Sequence, residues 1–212
     1  MNVPSPSYPT SVINKDAWDV GIFVQRLANE YFTHMAALHV ASDPRVLEFA
    51  PPIEPGQVVP ILRVERGDGT RVSFSFSHYL DKVRDTDLTE DFKRAWLSSS
   101  LLRIGDALGE HGYFGHAPEA ELVRHLRNGV AHHNRFSFHP NVIDKNSGLL
   151  RYPAHNRRYC AALSMNEYCI DTHLQNTGVL FDFGGPAAIL DILIALGWHL
   201  TRTACGYAVG TA

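Results

Sequence analysis

Two stretches of helical periodicity joined by only a few residues constrain this chain most. Phe92, Trp96, Leu97, Leu101, Leu102, Ile104 and Leu108 recur at the spacing of one helix face, and Leu122, Val123, Leu126 and Val130 do the same beyond Gly112 and Gly115. Helices connected so tightly lie side by side and antiparallel, so the predicted core is a helical bundle. The first of the pair is expected from about Leu88 to Glu110, with Asp87 or Thr89 as N-cap. The second starts at Pro118, with Glu119 and Glu121 in its electropositive first turn.

Other segments complete the pattern. Trp18, Ile22, Phe23, Leu27, Tyr31, Phe32 and Met35 predict a helix over about 16–39, and the prolines of 51–55 break whatever follows. Val58–Glu65 and Thr70–Ser77 alternate around Arg66-Gly67-Asp68-Gly69, a β-hairpin with Val72, Phe74 and Phe76 on one face. Beyond Pro140, short strands are expected at Leu149–Tyr152, Glu167–Leu174 and Val179–Phe183, the last two joined by a turn at Gln175–Gly178. Gly184-Gly185-Pro186 then opens an apolar terminal helix over 187–208, interrupted by Asp191, His199 and Arg202 and therefore expected to be a buried core helix with no membrane span. The fold class read from this order is mainly α: an antiparallel helical bundle with two β-hairpin insertions, near 57–77 and 140–183. Residues 1–15 read as a flexible lead and 16–212 as a single domain.

Composition narrows the function classes. With 45% hydrophobic residues over 212 positions the chain can bury a core without disulfide staples, and Cys160, Cys169 and Cys205, odd in number and widely spaced, read as reduced core thiols of a cytoplasmic protein. No His-Glu-x-x-His, phosphate loop, dinucleotide fingerprint or Gly-x-Ser-x-Gly elbow occurs, so no metal or cofactor is expected. The net charge of −3 conceals an uneven distribution. Between Arg124 and Arg158 stand seven Lys or Arg against the single acid Asp144, leaving twelve basic and twenty-one acidic residues elsewhere. A basic strip on an acidic body attracts polyanions locally; salt bridges to the acidic remainder are the alternative use of those arginines.

The strip contains Arg127-Asn128-Gly129-Val130-Ala131-His132. On a regular helix Arg124, Asn128 and His132 stack at i, i+4 and i+8, with Arg127 about 100° to the side. An imidazole titrates near neutrality and serves as base or acid, while a guanidinium offers five fixed donors to a phosphate. Each residue also has a plain alternative. His132 fits a helix-end carbonyl cap, Arg127 a surface salt bridge to Glu121 or Glu119, and Asn128 a merely polar helix surface. His125 points roughly opposite His132 and reads as structural; His133 is a weaker candidate, and Glu121 stands one turn before Arg124, where it can orient it.

The segment Leu122–Asn134, with Arg and His separated by four residues and Asn directly after the Arg, resembles the HEPN superfamily of small helical proteins, and the order of helices and inserts is similar to a plasmid-encoded prokaryotic subfamily of it. The resemblance implies a HEPN-like bundle and a metal-independent endoribonuclease that cleaves RNA by 2′-OH attack, leaving 2′,3′-cyclic phosphate and 5′-OH ends. It implies catalytic roles for Arg127, His132 and Asn128, RNA contacts by Arg124, His133, Arg135, Arg151, Arg157 and Arg158, and a homodimer through the motif helix. Gly129 and Ala131 are small enough for two such helices to approach closely, or for packing inside one bundle. A toxin or antiphage role, with an antitoxin or regulatory protein as partner, belongs to the same implication. The competing expectation is a non-catalytic HEPN module that binds nucleic acid or protein.

Overall fold

The computed structural model describes residues 12–49, 60–115, 117–148, 150–151 and 167–207; expectations for the prolines of 51–55, Leu149, Tyr152, Arg157, Arg158, Cys160 and the first eleven positions lie outside them. Among the described residues the fold is mainly helical, 63% helix, with five α-helices and one two-stranded antiparallel sheet. The helices are α1 (Lys15–Ala41), α2 (Phe76–Lys82), α3 (Thr86–Glu110), α4 (Pro118–Ala131) and α5 (Gly185–Ala204), and the strands are β1 (Pro60–Glu65) and β2 (Arg71–Ser75). They group into two compact units. One holds the chain up to Asn29 and from Ala95 onward; the other is Glu30–Arg94.

In the first unit, α1 begins where Asn14 Oδ1 accepts a hydrogen bond from the Ala17 amide at 3.0 Å, a side-chain cap on one of the helix's orphan donors. Its inward stripe is Ala17, Val20, Val24, Leu27 and Ala28. The α1 and α5 backbones meet at glycines: a Cβ on Gly21 would lie 3.0 Å from the Gly197 carbonyl, and one on Gly197 would lie 2.6 Å from Gln25 Cγ. The Ile13 amide reaches the Ala204 carbonyl at 2.8 Å while Gln25 reaches Thr201, so the two helices run in opposite directions. Helix α5 has the length and apolar composition of a membrane span, yet Ile189, Ile192, Leu193, Leu196 and Leu200 are all buried in this unit. From α3 come Leu97, Leu101, Ile104 and Leu108 and from α4 Leu122, Val123 and Leu126, all fully buried. The α3 stripe therefore starts one turn later than the sequence suggests, with Phe92 left 37% exposed.

The second unit carries the predicted hairpin. Val64 pairs with Val72 and Leu62 with Phe74 across the sheet, and Gly69, at φ +80°, closes the turn by donating to the Arg66 carbonyl at 2.9 Å. The strand expected to reach Ser77 stops at Ser75. Phe76 opens α2, so the shared apolar face ends at Phe74, whose ring meets Tyr79 edge-on at 5.3 Å. The cap of α3 is neither Asp87 nor Thr89 but Asp85, whose Oδ1 accepts from the Asp87 and Leu88 amides at 3.1 and 3.3 Å.

The larger correction concerns 140–183. Among its described residues there is no β-hairpin: Pro140–Val142 and Thr172–Leu174 are single 3-10 turns, and pairing is limited to isolated bridges such as Ile143 with Leu150 and Arg135 with Gly178. The segments read as two strands of one hairpin do not form it because their backbone bonds go elsewhere. The Phe136 amide donates to the Thr177 carbonyl, Asn176 to Phe136 and Val179 to Asn134, at 3.0, 2.8 and 3.1 Å. Residues 174–180 thus form a strap over the loop leaving α4, burying Ile170, Val179, Leu180, Phe136 and Phe138. The two described cysteines are not core thiols either: Cys169 is exposed and Cys205 half-buried.

Gly129 is where the strap seats. A Cβ there would collide with Val179 Cγ2 and stand 3.1 Å from the Arg135 carbonyl. Gly129→Ala is expected to lower stability by roughly 1–3 kcal/mol, as overpacking does in a close-fitted site, measured by urea unfolding; an unchanged midpoint would mean that the strap moves aside at no cost.

Candidate functional site

Helix α4 stops abruptly, and the stop sets the geometry of the motif. His132 is the C-cap, with φ −104° and ψ 58°, and its amide donates to the carbonyls of Asn128 and Gly129. His133 and Asn134 follow at φ 61° and 58°. Two successive non-glycine residues in the left-handed region are uncommon, and asparagine tolerates it better than histidine. Asn134 is held by the strap: its Oδ1 accepts from the Leu180 amide at 3.2 Å and its carbonyl from the Val179 amide at 3.1 Å. The Arg135 amide returns to the Gly129 carbonyl at 3.0 Å. Since His132 leaves helical geometry, the i, i+4, i+8 stack breaks at its last member. The His132 and His133 side chains are exposed.

Arg127 is oriented from α3. Its Nη2 donates to Asp106 Oδ1 at 2.8 Å, not to Glu119 or Glu121, and its Nη1 lies 3.5 Å from Asn128 Oδ1. The side chain crosses Gly105, where a Cβ would meet Arg127 Cγ at 2.5 Å. Sequence reasoning missed Gly105 and Asp106. A glycine inside a helix is costly relative to alanine and signals a packing reason, but which α4 residue it faces depends on the register of the antiparallel pair. The structure thus brings Arg127, Asn128 and Asp106 together, with His132 just past the end of the same helix.

The remaining predicted contacts divide. Arg124 Nη1 pairs with Glu121 Oε1 at 3.3 Å, as its spacing suggested, and its guanidinium lies over the Phe114 ring at 5.4 Å. Arg135 is a clasp, donating from Nη1 to the Asn176 carbonyl at 2.8 Å. Arg151 is exposed. Gly129, considered for a seam between two motif helices, is covered by its own chain; Ala131 remains exposed. Among the described residues, no three His, Cys, Asp or Glu side chains are grouped to hold a metal ion.

The acids placed by sequence in the first turn of α4 are inside the unit. Glu119 is 1% exposed, and among the described residues neither side-chain oxygen has a hydrogen-bond partner. Burial pushes its pKa up to about 7, overriding the favourable helix start. Burial also raises Glu121, with Arg124 opposing. His125, whose ring meets Phe138 edge-on, is pushed down to about 4 by burial and by the neighbouring Arg124. It is neutral at pH 7 and acts as a packed ring, in line with its structural reading.

No family model, curated protein or solved structure matches this chain.

Glu119 and His125 act in opposite directions. Glu119 binds its proton more tightly folded (about 7) than unfolded (about 4.5), so its contribution falls as pH rises between those values. His125 binds its proton less tightly folded (about 4) than unfolded (about 6.5), so its contribution falls as pH drops through that window. Glu119→Gln should therefore make stability rise more steeply from pH 4.5 to 7 than in the parent, by up to roughly 3 kcal/mol across the window. His125→Phe should tilt the profile the other way. Urea unfolding at pH 4.5, 5.5, 6.5 and 7.5 checks both signs; parallel profiles for parent and variants would refute the assignment.

Proposed function

We propose that this chain is a metal-independent endoribonuclease of HEPN type. The observation that carries the reading is the exposed His132 at the end of the helix that presents Arg127 and Asn128, with Arg127 fixed in one direction by Asp106 at 2.8 Å. In the reaction the 2′-oxygen of a ribose attacks the adjacent phosphorus, the bond from phosphorus to the 5′-oxygen breaks, and the ends are a 2′,3′-cyclic phosphate and a 5′-OH. One proton leaves the 2′-OH and one reaches the departing 5′-oxygen. Arg127 stabilises charge on the non-bridging oxygens and His132 moves a proton, effects worth about 10²–10³-fold and 10²–10⁴-fold respectively. A single imidazole does not readily serve as base and acid on one phosphate, so a second copy related by a two-fold axis completes the site through its own motif.

His132→Ala should remove cleavage of bulk RNA in EDTA, with unchanged circular dichroism, and Arg127→Ala should lower it by at least about a hundredfold. Wild-type products should carry cyclic-phosphate ends, and the protein should sediment as a dimer at micromolar concentration. Cleavage surviving in His132→Ala, or dependent on added divalent metal, would overturn this mechanism.

A second reading, a non-catalytic module that binds nucleic acid or protein, is favoured by one observation: two motif-region arginines are already engaged, Arg127 by Asp106 and Arg135 by the Asn176 carbonyl. Asp106→Asn separates the two. The pair is 35% and 67% exposed on its two sides, so its loss should change stability by less than about 1 kcal/mol. In a nuclease, misorientation of Arg127 should lower kcat. In a binding module, removing the competing carboxylate should strengthen RNA binding without creating cleavage, as read by gel shift and end analysis.

A further inference from the structure

Away from the motif, on the face where α1 meets α5, the first unit carries an aromatic groove of about 250 Å3. Trp18 and Ile22 of α1 form one wall and Trp198, Arg202 and Tyr207 the other, with Gln25 on the polar side. Trp198 of α5 is 46% exposed and Tyr207, just beyond that helix, 61% exposed, while Ile189, Ile192, Leu193, Leu196 and Leu200 of α5 are buried. The position of Tyr207 follows from how α5 ends. Gly206, at φ +76°, donates to the Thr203 carbonyl at 3.0 Å, and Tyr207 donates to that of Arg202 at 3.1 Å, a glycine-terminated helix end that folds the next residue back along its last turn. This places the Arg202 guanidinium 6.0 Å from the Tyr207 ring centre.

The groove has one sign of charge. Its lining includes the Arg202 cation and no carboxylate, and Arg202 forms no salt bridge among the described residues. Among the described residues, Gln25 uses its amide nitrogen only in a long 3.4 Å contact to Thr201 Oγ1, so its carbonyl and second N–H can meet a polar ring edge. At about 250 Å3 the space falls below the roughly 300–1,000 Å3 of drug-sized sites. It suits one flat ring system, and it is too small for a helix of another protein. Indole and phenol faces beside a guanidinium are the combination that takes up an unpaired base together with its phosphate.

We infer that this groove is a stacking site for a single unpaired nucleobase of a single-stranded RNA, with Arg202 on the adjoining phosphate. The assignment takes its ligand class from the RNA reading above and is independent of catalysis at His132.

The test is titration of the full chain, carrying His132→Ala to suppress cleavage, with an eight-nucleotide oligoadenylate while tryptophan fluorescence is followed. Binding should quench the emission, and Trp198→Ala should weaken affinity at least about fivefold, the lower end of what one stacked base contributes. Trp198→Phe should retain most of the affinity, and Arg202→Gln should weaken binding and flatten its salt dependence. A duplex of the same length should not compete. Trp198 is half-exposed, so its replacement leaves the core intact, which circular dichroism verifies. Unchanged affinity in Trp198→Ala and Arg202→Gln, or no binding of the strand, would overturn the site. So would an altered sedimentation coefficient in Trp198→Ala with RNA affinity unmoved, which marks a protein contact. Normal cleavage by a wild type whose affinity ignores Trp198 overturns the groove alone; a groove that binds in a chain that never cuts overturns the nuclease alone.

Discussion

The seat of Val179 on Gly129 is the contact on which the rest of the motif region depends. Helix α4 could otherwise continue: His132 and His133 are not helix breakers, and no glycine or proline follows until Pro140. What ends it is the strap, which supplies backbone partners to residues 134–138 in place of helical ones and fills the space over Gly129. The left-handed pair His133–Asn134 is the local cost of this turn, offset by the hydrogen bonds that Asn134 and Arg135 make to the strap and to α4. His132 is placed at the helix end, and in the open, as a consequence.

Arg127 is positioned by a different device. An arginine on a helix surface has rotamer freedom that any ligand must overcome. Here the Gly105 surface lets the stem lie flat against α3, and Asp106 takes one edge of the guanidinium. The remaining donors keep a defined direction. The pair adds little to stability at its exposure, so its consequence is orientation. It also sets a competition, because a phosphate approaching Arg127 meets the Asp106 charge nearby. That balance separates a site that turns over a substrate from one that merely holds a partner.

The ionisable groups inside the unit tell a complementary story. Glu119 enters the core from the first turn of α4, among Ala120, Leu122, Val123 and Leu126, and remains protonated over much of the range in which carboxyls are normally charged. His125, two turns on, remains neutral. Losing charge is what makes their burial tolerable: a neutral carboxyl and a neutral imidazole cost less inside than buried charges would. The cations of α4 are outside, the groups that lose charge are inside, and the helix presents a positive face more pronounced than its sequence total implies.

Local pattern accounted for much of this protein. Apolar periodicity located α1, α3, α4 and α5 to within a few residues, the Arg66–Gly69 turn located the hairpin, and the i, i+3 spacing of Glu121 and Arg124 anticipated their pair, because these depend on neighbours in the chain. Where partners come from afar, the pattern misled or was silent. Alternation in 167–183 looked like a hairpin because alternating burial looks the same whether a strand pairs with its neighbour or lies as a strap over a distant loop. Glu119 read as a surface acid because helix-start propensity says nothing about which face meets the core. The sequence by itself determined the helices and the spacing of Arg127, Asn128 and His132. Only the tertiary structure decided that Asp106 would hold the arginine and that a strap over Gly129 would end the helix at the histidine, since both rest on contacts between residues tens of positions apart.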